Sequence, residues 1–188
     1  MLRFIAVGMT VGALIPWEST GFPYLPDGIH KWTNVRQNVI NAQGKNKSIL
    51  DIGCGIGFST AWSEGSLGID TNLEMLTKAK NLFPEKKFEF GNPLFWKPRR
   101  KFDVVTCMFY LHENPRYIRK KIIKLALTSA KERVVFVDFA PEYRASDVLV
   151  TRKPHLKDYL RECRKDLCDF EEHVIIKGKL HMWVRNMR

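Results

Sequence analysis

A chain of 188 residues, 45% of them hydrophobic, is long enough to bury one core without disulfides, so a second large domain and a cysteine-stapled miniature fold are both excluded. Four cysteines, at 54, 107, 163 and 168, show no paired ligand spacing, so no metal site is expected, and there is no internal repeat or low-complexity segment. The net charge of +11 is unevenly placed: residues 97–188 carry 22 Lys+Arg against 12 Asp+Glu.

At the N-terminus, Arg3 precedes an apolar run from Phe4 to Ile15 with the outline of a signal h-region. It is shorter than the about 20 residues that a bilayer requires, and Pro16-Trp-Glu-Ser follows it instead of a small-residue cleavage site. Two readings stay open for residues 1–17: an element packed on the domain, or a membrane-associated or cleaved segment. Residues 1–44 are set apart as an N-terminal segment packing on the domain or near its pocket, and residues 45–188 as the domain itself.

The next segment is the most informative. Ser48-Ile-Leu-Asp-Ile reads as a buried parallel strand ending beside an acidic residue. Gly53, Gly55 and Gly57, at alternate positions, allow a tight turn in which backbone lies against a ligand. A short helix of about two turns is expected in the nine residues before Leu67-Gly-Ile-Asp70. This second strand ends in a carboxylate placed to accept from a ribose diol. Dinucleotide folds use G-x-G-x-x-G, whose third glycine admits a pyrophosphate at a helix N-terminus. Phe58 occupies that slot here.

Ile-Leu-Asp-Ile-Gly-Cys-Gly-Ile-Gly, from Ile49 to Gly57, resembles the first motif of the class I S-adenosylmethionine (SAM)-dependent methyltransferases. Further along, Phe88-Glu-Phe-Gly-Asn92 resembles the third strand and its exit, with Asn92 where that family usually has an acid facing the adenine amino group. Phe102–Tyr110 resembles strand four and Arg133–Phe139 strand five. Residues 170–177 and 179–185 resemble the closing hairpin. The family's Pro-Gly-Gly turn before strand five is replaced by Ser129-Ala-Lys-Glu132. The resemblance, over roughly residues 45–185, implies a Rossmann-like α/β fold: a mostly parallel seven-stranded sheet with a C-terminal antiparallel hairpin. It also implies SAM as cofactor, with Asp51, Gly53, Cys54, Gly55, Gly57, Asp70, Thr71, Asn92 and Tyr110 forming its site.

A narrower resemblance lies in the second half. His112-Glu-Asn-Pro115, Val137-Asp-Phe-Ala-Pro141 and Lys153-Pro-His-Leu-Lys-Asp-Tyr159 are similar, in that order, to motifs of a small, largely uncharacterised methyltransferase group. Pro26-Asp-Gly-Ile-His30 and Trp32 resemble that group's N-terminal segment. By analogy this implies small-molecule acceptors.

Two basic clusters remain. Arg116 to Lys124 is interleaved with Ile118, Ile122 and Ile123, the pattern of an amphipathic helix with a solvated basic face. Lys97-Pro-Arg-Arg-Lys101 is expected near the pocket mouth, attractive to anionic substrates, RNA or an acidic membrane. Phe95, Trp96 and Trp32 are candidates for lining an aromatic substrate pocket, or plain core.

In an open parallel sheet the site forms at the C-terminal strand ends, which selects Tyr110, His112 and Glu113 after strand four and Asp138 at strand five. His112 and Glu113 are the catalytic candidates, His112 as the base because imidazole titrates near neutrality. The alternative is that the two brace the following helix, which Pro115 opens. The sequence thus reads as a SAM-dependent methyltransferase with a small, anionic or aromatic acceptor, in a reducing cytoplasmic setting. An RNA methyltransferase and a non-catalytic SAM-binding accessory protein are the alternatives. Against the first, Tyr-Leu-His-Glu stands where amino-methylating nucleic-acid enzymes carry Asn/Asp-Pro-Pro-aromatic.

Overall fold

The alternation of apolar residues along the strands organises the molecule into a sheet covered on both faces. The computed structural model describes residues 30–188 other than Lys45, with side chains from Val35 onward. The expectations for residues 1–17, Pro26-Asp-Gly-Ile-His30 and the Trp32 side chain therefore lie outside the described residues. In chain order the elements are α1 (His30–Asn41), β1 (Ile49–Ile52), β2 (Leu67–Asp70), α2 (Leu73–Leu82), β3 (Phe88–Phe90), β4 (Phe102–Met108), a 3-10 turn (Leu111–Glu113), α3 (Arg116–Ser129), β5 (Ala130–Phe139), α4 (Asp147–Arg152), α5 (Leu156–Asp166), β6 (Glu171–Ile176) and β7 (Leu180–Asn186).

The seven strands lie in the order β3-β2-β1-β4-β5-β7-β6. All neighbours from β3 to β5 are parallel, and β7 runs antiparallel to both β5 and β6. The expected mostly parallel sheet with a closing hairpin is the one observed. Sequence order reverses between β1 and β4, and such a switch point opens a crevice at the C-terminal strand ends.

Burial follows the two-residue strand period. Leu50, Ile52, Val105, Cys107, Val134 and Phe136 face α3 and α5, packing with Ile122, Ala126, Leu156 and Tyr159. Ile49, Val104, Met108, Val135 and Val137 face the other way, onto Val35, Val39 and Ile40 of α1. Each fully buried aliphatic side chain of this kind stabilises by roughly 1.5–3 kcal/mol, so three suffice to dock α1. Among the described residues, no helix is long and apolar enough to cross a membrane.

Three local expectations need correction. Residues 53–66 hold no helix: they are a chain of turns closed by i→i+3 bonds, Gly57 N to Cys54 O, Thr60 N to Gly57 O and Ser66 N to Ser63 O. Positive φ at Gly57 and Gly65 breaks helical continuity at both ends of that stretch. Strand five begins at Ala130, three residues earlier than expected, with no turn after α3. The pairing Phe102↔Ala130 followed by Val104↔Arg133 places one extra residue in β5, so a bulge absorbs what a Pro-Gly-Gly turn would.

The third correction concerns the cluster Lys97–Lys101. A loop that enters a parallel strand must arrive at its N-terminal end, so this cluster lies at the opposite end of the sheet from the glycine turn. The amphipathic helix, by contrast, forms as α3, with one departure: Arg119 is buried, not solvated.

Candidate active site

Three strand exits meet at the glycine turn. The N–H groups of Gly53 and Cys54 both donate to Ile69 O, at 2.8 and 3.0 Å, which locks the turn to β2. The Asp70 carboxylate then accepts from Gly55 N at 2.8 Å through one oxygen and from Asn72 N at 2.9 Å through the other. Each oxygen keeps a further lone pair.

The three glycines have different reasons to be glycine. At Gly53 (φ +76°) a Cβ would sit 2.3 Å from the Tyr110 ring, and at Gly57 (φ +88°) it would sit 2.6 Å from Phe88. Both are close-packing positions. Gly55 (φ +53°) has nothing within 4 Å of a Cβ, so its backbone faces open space beside Asp70. Such a bare backbone edge, next to an accepting carboxylate, fits a nucleoside cofactor with no pyrophosphate.

Tyr110 covers the turn, its hydroxyl interacting with exposed Thr71 and pushed up to about 12 chiefly by burial. It is aimed there by Phe109, the one non-glycine residue with positive φ (58°) among those described. A left-handed phenylalanine is strained, of order 1–3 kcal/mol, and its bond from N to Val137 O at 2.8 Å holds it. Asn92 leaves β3 as expected; its Oδ1 accepts from Leu94 N at 3.0 Å, so an Asx turn shapes the exit. The Cys54 side chain is buried against α2, where burial raises its thiol pKa, so it offers the turn its backbone rather than its sulfur.

Asp51 stands behind the turn, not in it. It is fully buried, and its carboxylate accepts from Ser59 Oγ and Thr60 Oγ1, both at 2.8 Å. Its role is to hold the strand to the segment that follows the glycines. Burial raises its pKa to about 6, against the opposing hydroxyl bonds and the Arg36 and Lys86 charges. Lys86, itself lowered to about 8 by burial, donates to Gly57 O at 3.1 Å and sits over the Phe83 and Trp62 rings, 4.1 and 4.4 Å from their centroids.

This fixes a sign. The folded chain binds the Asp51 proton more tightly than the unfolded chain, whose value is near 3.9. Asp51 therefore lowers stability progressively as pH rises from about 4 through about 6, by on the order of 3 kcal/mol in all. Urea unfolding near pH 4 and pH 7 is expected to show that decline reduced in Asp51→Asn relative to the parent; an identical difference in both would remove the buried charge as its source.

The second half of the site lies across β4 and β5. Asp138, fully buried, accepts from His112 Nδ1 at 2.6 Å, His112 N at 3.1 Å and Phe139 N at 2.8 Å. A carboxylate only accepts, so the imidazole proton is held on Nδ1 and the Nε2 lone pair is directed away. Nε2 lies 3.7 Å from Glu113 Oε1, and Glu113 pairs with Lys153 in the link from α4 to α5. The Phe139 ring meets the imidazole edge-on at 4.7 Å, and Tyr159 Oη donates to Phe139 O at 3.2 Å.

The structure thus brings Gly53, Gly55, Asp70, Thr71 and Tyr110 together, puts Asn92 at the neighbouring strand exit, and sets His112 and Glu113 across β4 with Asp138. Three contributors have no motif in the sequence. Arg36 of α1 lies over the Phe109 ring, 4.4 Å from its centroid, and feels both Asp51 and Asp138, while burial lowers its pKa. Gln37 donates to Phe58 O at 2.6 Å. Arg119 carries the segment after His112, donating to Asn114 O at 3.0 Å. Trp96, a pocket candidate, instead lines a cleft at the other end of the sheet, and Phe95 is 79% exposed.

Comparison with known proteins agrees with this geometry. A family model described as a methyltransferase domain matches residues 50–120. A trans-aconitate 2-methyltransferase of Rhodopseudomonas palustris (strain HaA2) is 38% identical over 100 residues, 50% of this chain and 38% of that protein. The chain spans about a third of the length of the curated relatives it matches. Among solved structures, magnesium protoporphyrin IX methyltransferase from Synechocystis PCC 6803 with bound SAM superposes at a TM-score of 0.59, with 17% identity over 85% of this chain and 79% of that one. A TehB-like SAM-dependent methyltransferase from Corynebacterium glutamicum gives 0.57, with 16% identity over 82% and 93%. At those identities the superpositions speak for the fold. The fold is that of the class I SAM-dependent methyltransferases, and the segment that carries the glycine turn is similar to a methyltransferase domain.

Proposed function

We propose that the protein binds SAM at the glycine turn and methylates a small molecule, with His112 as the base. The observation that carries this reading is the pairing of an open Gly55 backbone with the Asp70 carboxylate, next to an imidazole whose tautomer Asp138 sets. When bound, SAM supplies a methyl group activated by its positive sulfur. Asp70 accepts from the ribose hydroxyls, Asn92 meets the adenine edge, and Tyr110 with Thr71 closes the turn. His112 Nε2 removes the proton of an acceptor that must lose one, and Glu113 with Lys153 borders the approach to it. Holding the acceptor in line with the methyl supplies the rest of the acceleration.

Small acceptors are favoured because Tyr110-Leu-His-Glu occupies the strand-four exit and because the named relatives act on trans-aconitate and magnesium protoporphyrin IX. The Lys97–Lys101 cluster gives no support to an anion drawn to this mouth, since it lies at the other end of the sheet.

Asp70 tests the cofactor half. Asp70→Ala is expected to weaken SAM binding fivefold to hundredfold by calorimetry, for a loss of about 1–3 kcal/mol when ribose hydroxyls go unpaired. Asp70→Asn, which keeps one accepting oxygen, is expected to fall between. Unchanged affinity in a folded Asp70→Ala protein would take Asp70 out of the pocket.

A further inference from the structure

The strongest unexplained feature lies at the opposite end of the sheet. A cleft of about 390 Å³ is lined by Leu67, Trp96, Pro98 and Phe102 as an apolar floor, with Lys87, Lys97, Arg99 and Arg100 around it. Among the described residues no carboxylate pairs with any of these four cations. The contrast with the surface of α5 and β7 is sharp: there Arg161, Arg164, Lys165 and Arg185 each meet an acid within 4 Å. The one acid lining the cleft, Glu89, accepts from Trp96 Nε1 at 2.8 Å.

Two of the walls are pre-set. Arg100 donates to Gly65 O and lies over the Phe102 ring, 4.7 Å from its centroid, so its guanidinium is oriented before any ligand arrives. The bond to Glu89 fixes the Trp96 indole in the same way. Three of the cations fall within four consecutive residues, about 11 Å of chain at most, close to the screening length of physiological salt. Like charges gathered around one concavity repel one another and attract an anion. The apolar floor adds a second requirement, because phosphate alone has no use for Leu67, Pro98 or an indole. Guanidinium groups suit phosphate oxygens, and flat bases suit aromatic and apolar walls. The volume falls within the range of small-ligand clefts.

We propose that this cleft is a second binding site, for a nucleoside phosphate, taken free or as a nucleotide of single-stranded RNA. It is separate from the methyl-transfer site: Phe102 in the cleft and Met108 at the other end of β4 are six residues apart, about 20 Å along a strand. The proposal does not depend on the methyltransferase reading, since no SAM enters its binding step.

The test uses the full chain, AMP, a labelled single-stranded oligouridine and, as a comparison, vesicles containing phosphatidylserine. Lys97→Glu/Arg99→Glu changes two exposed side chains that make no ion pair among the described residues. Lys177→Glu/Lys179→Glu, at the hairpin turn, makes the same change in net charge elsewhere. AMP or oligouridine binding that falls at least tenfold in the first variant and less than twofold in the second, in the presence or absence of saturating SAM, is the expected result. Binding of AMP identifies free nucleotide as a source. Binding of oligouridine with a salt slope that is shallower in the first variant by about 0.7 for each phosphate it no longer neutralises identifies RNA. Equal losses in both variants would reduce the effect to overall charge and overturn the site. So would competition by SAM, or binding of vesicles through Lys97 and Arg99 with neither nucleotide probe bound. Circular dichroism and melting of both variants check that each folds.

Discussion

His112→Ala is expected to lower methyl transfer by about 10²–10⁴-fold while leaving SAM affinity nearly unchanged, because removal of a general base is felt in the transition state. The geometry adds a sharper expectation at Asp138. Three donors converge on its carboxylate: His112 Nδ1, His112 N and Phe139 N. Asp138→Asn offers one accepting oxygen and a donating amide group in nearly the same volume. With its oxygen kept on His112 Nδ1 and Phe139 N, the amide loses only the bond from His112 N, so the tautomer is held while the negative charge that would stabilise an imidazolium is gone. Asp138→Asn should therefore lower turnover by less than His112→Ala does, and the double variant should lose little more than His112→Ala alone. The measurement is turnover on the acceptor that product analysis identifies, with SAM affinity and melting temperature recorded on all three proteins. If the pair only braces the strand-four exit, SAM affinity and melting temperature fall together. Normal turnover in a stable His112→Ala protein would leave proximity alone to drive transfer.

The largest effect on stability is expected at Arg119. This side chain is 1% exposed, yet each nitrogen has a partner: Nε on Asp166 at 3.0 Å, Nη2 on Asp158 at 2.9 Å, and Nη1 on Asn114 O at 3.0 Å. It ties α3 to α5 and to the residues just after His112. Asp166 is almost as buried and keeps Arg116 Nε on its other oxygen at 2.8 Å, so Arg119→Ala leaves one carboxylate oxygen unpaired in the interior and also empties the guanidinium's volume. Removing one partner of a buried pair costs about 3–5 kcal/mol. At about 2–4 °C per kcal/mol for a chain of this size, the melting temperature should fall by roughly 6–20 °C. Arg119→Met with Asp166→Leu, which removes both charges, should recover part of that loss, because no charge is then left unpaired. A loss under about 1 kcal/mol in Arg119→Ala would show that the pair is solvated in solution and does not support the His112 segment.

How far the sequence disclosed this architecture depends on the range of the interactions. The strands were legible because their patterns are local: apolar runs at β1, β4 and β5, and Lys177-Gly178-Lys179 between β6 and β7. Asp70 was legible because its place follows from strand, turn and strand in close succession along the chain. The missing helix after Gly57 was not, since the Ser59 and Thr60 hydroxyls that tie that stretch to Asp51 leave no mark in periodicity. Arg119 read as surface because a basic residue in a basic stretch carries no sign that its carboxylates come from α5, 39 and 47 residues away. Arg36 and Gln37 reach the site from a helix without a motif, and Phe109 has a backbone conformation that no residue preference announces. The basic cluster was misplaced for a simpler reason: its distance from the turn depends on strand direction, which charge does not encode.

The central claim, methyl transfer from SAM to a small acceptor, is tested most directly by incubating the protein with methyl-labelled SAM and a metabolite extract freed of protein and nucleic acid. Mass spectrometry is expected to find one small product carrying the label, with S-adenosylhomocysteine formed in equal amount and the product lost in His112→Ala. Binding of NADH in place of SAM, or label that reaches only added RNA and no metabolite, would contradict it.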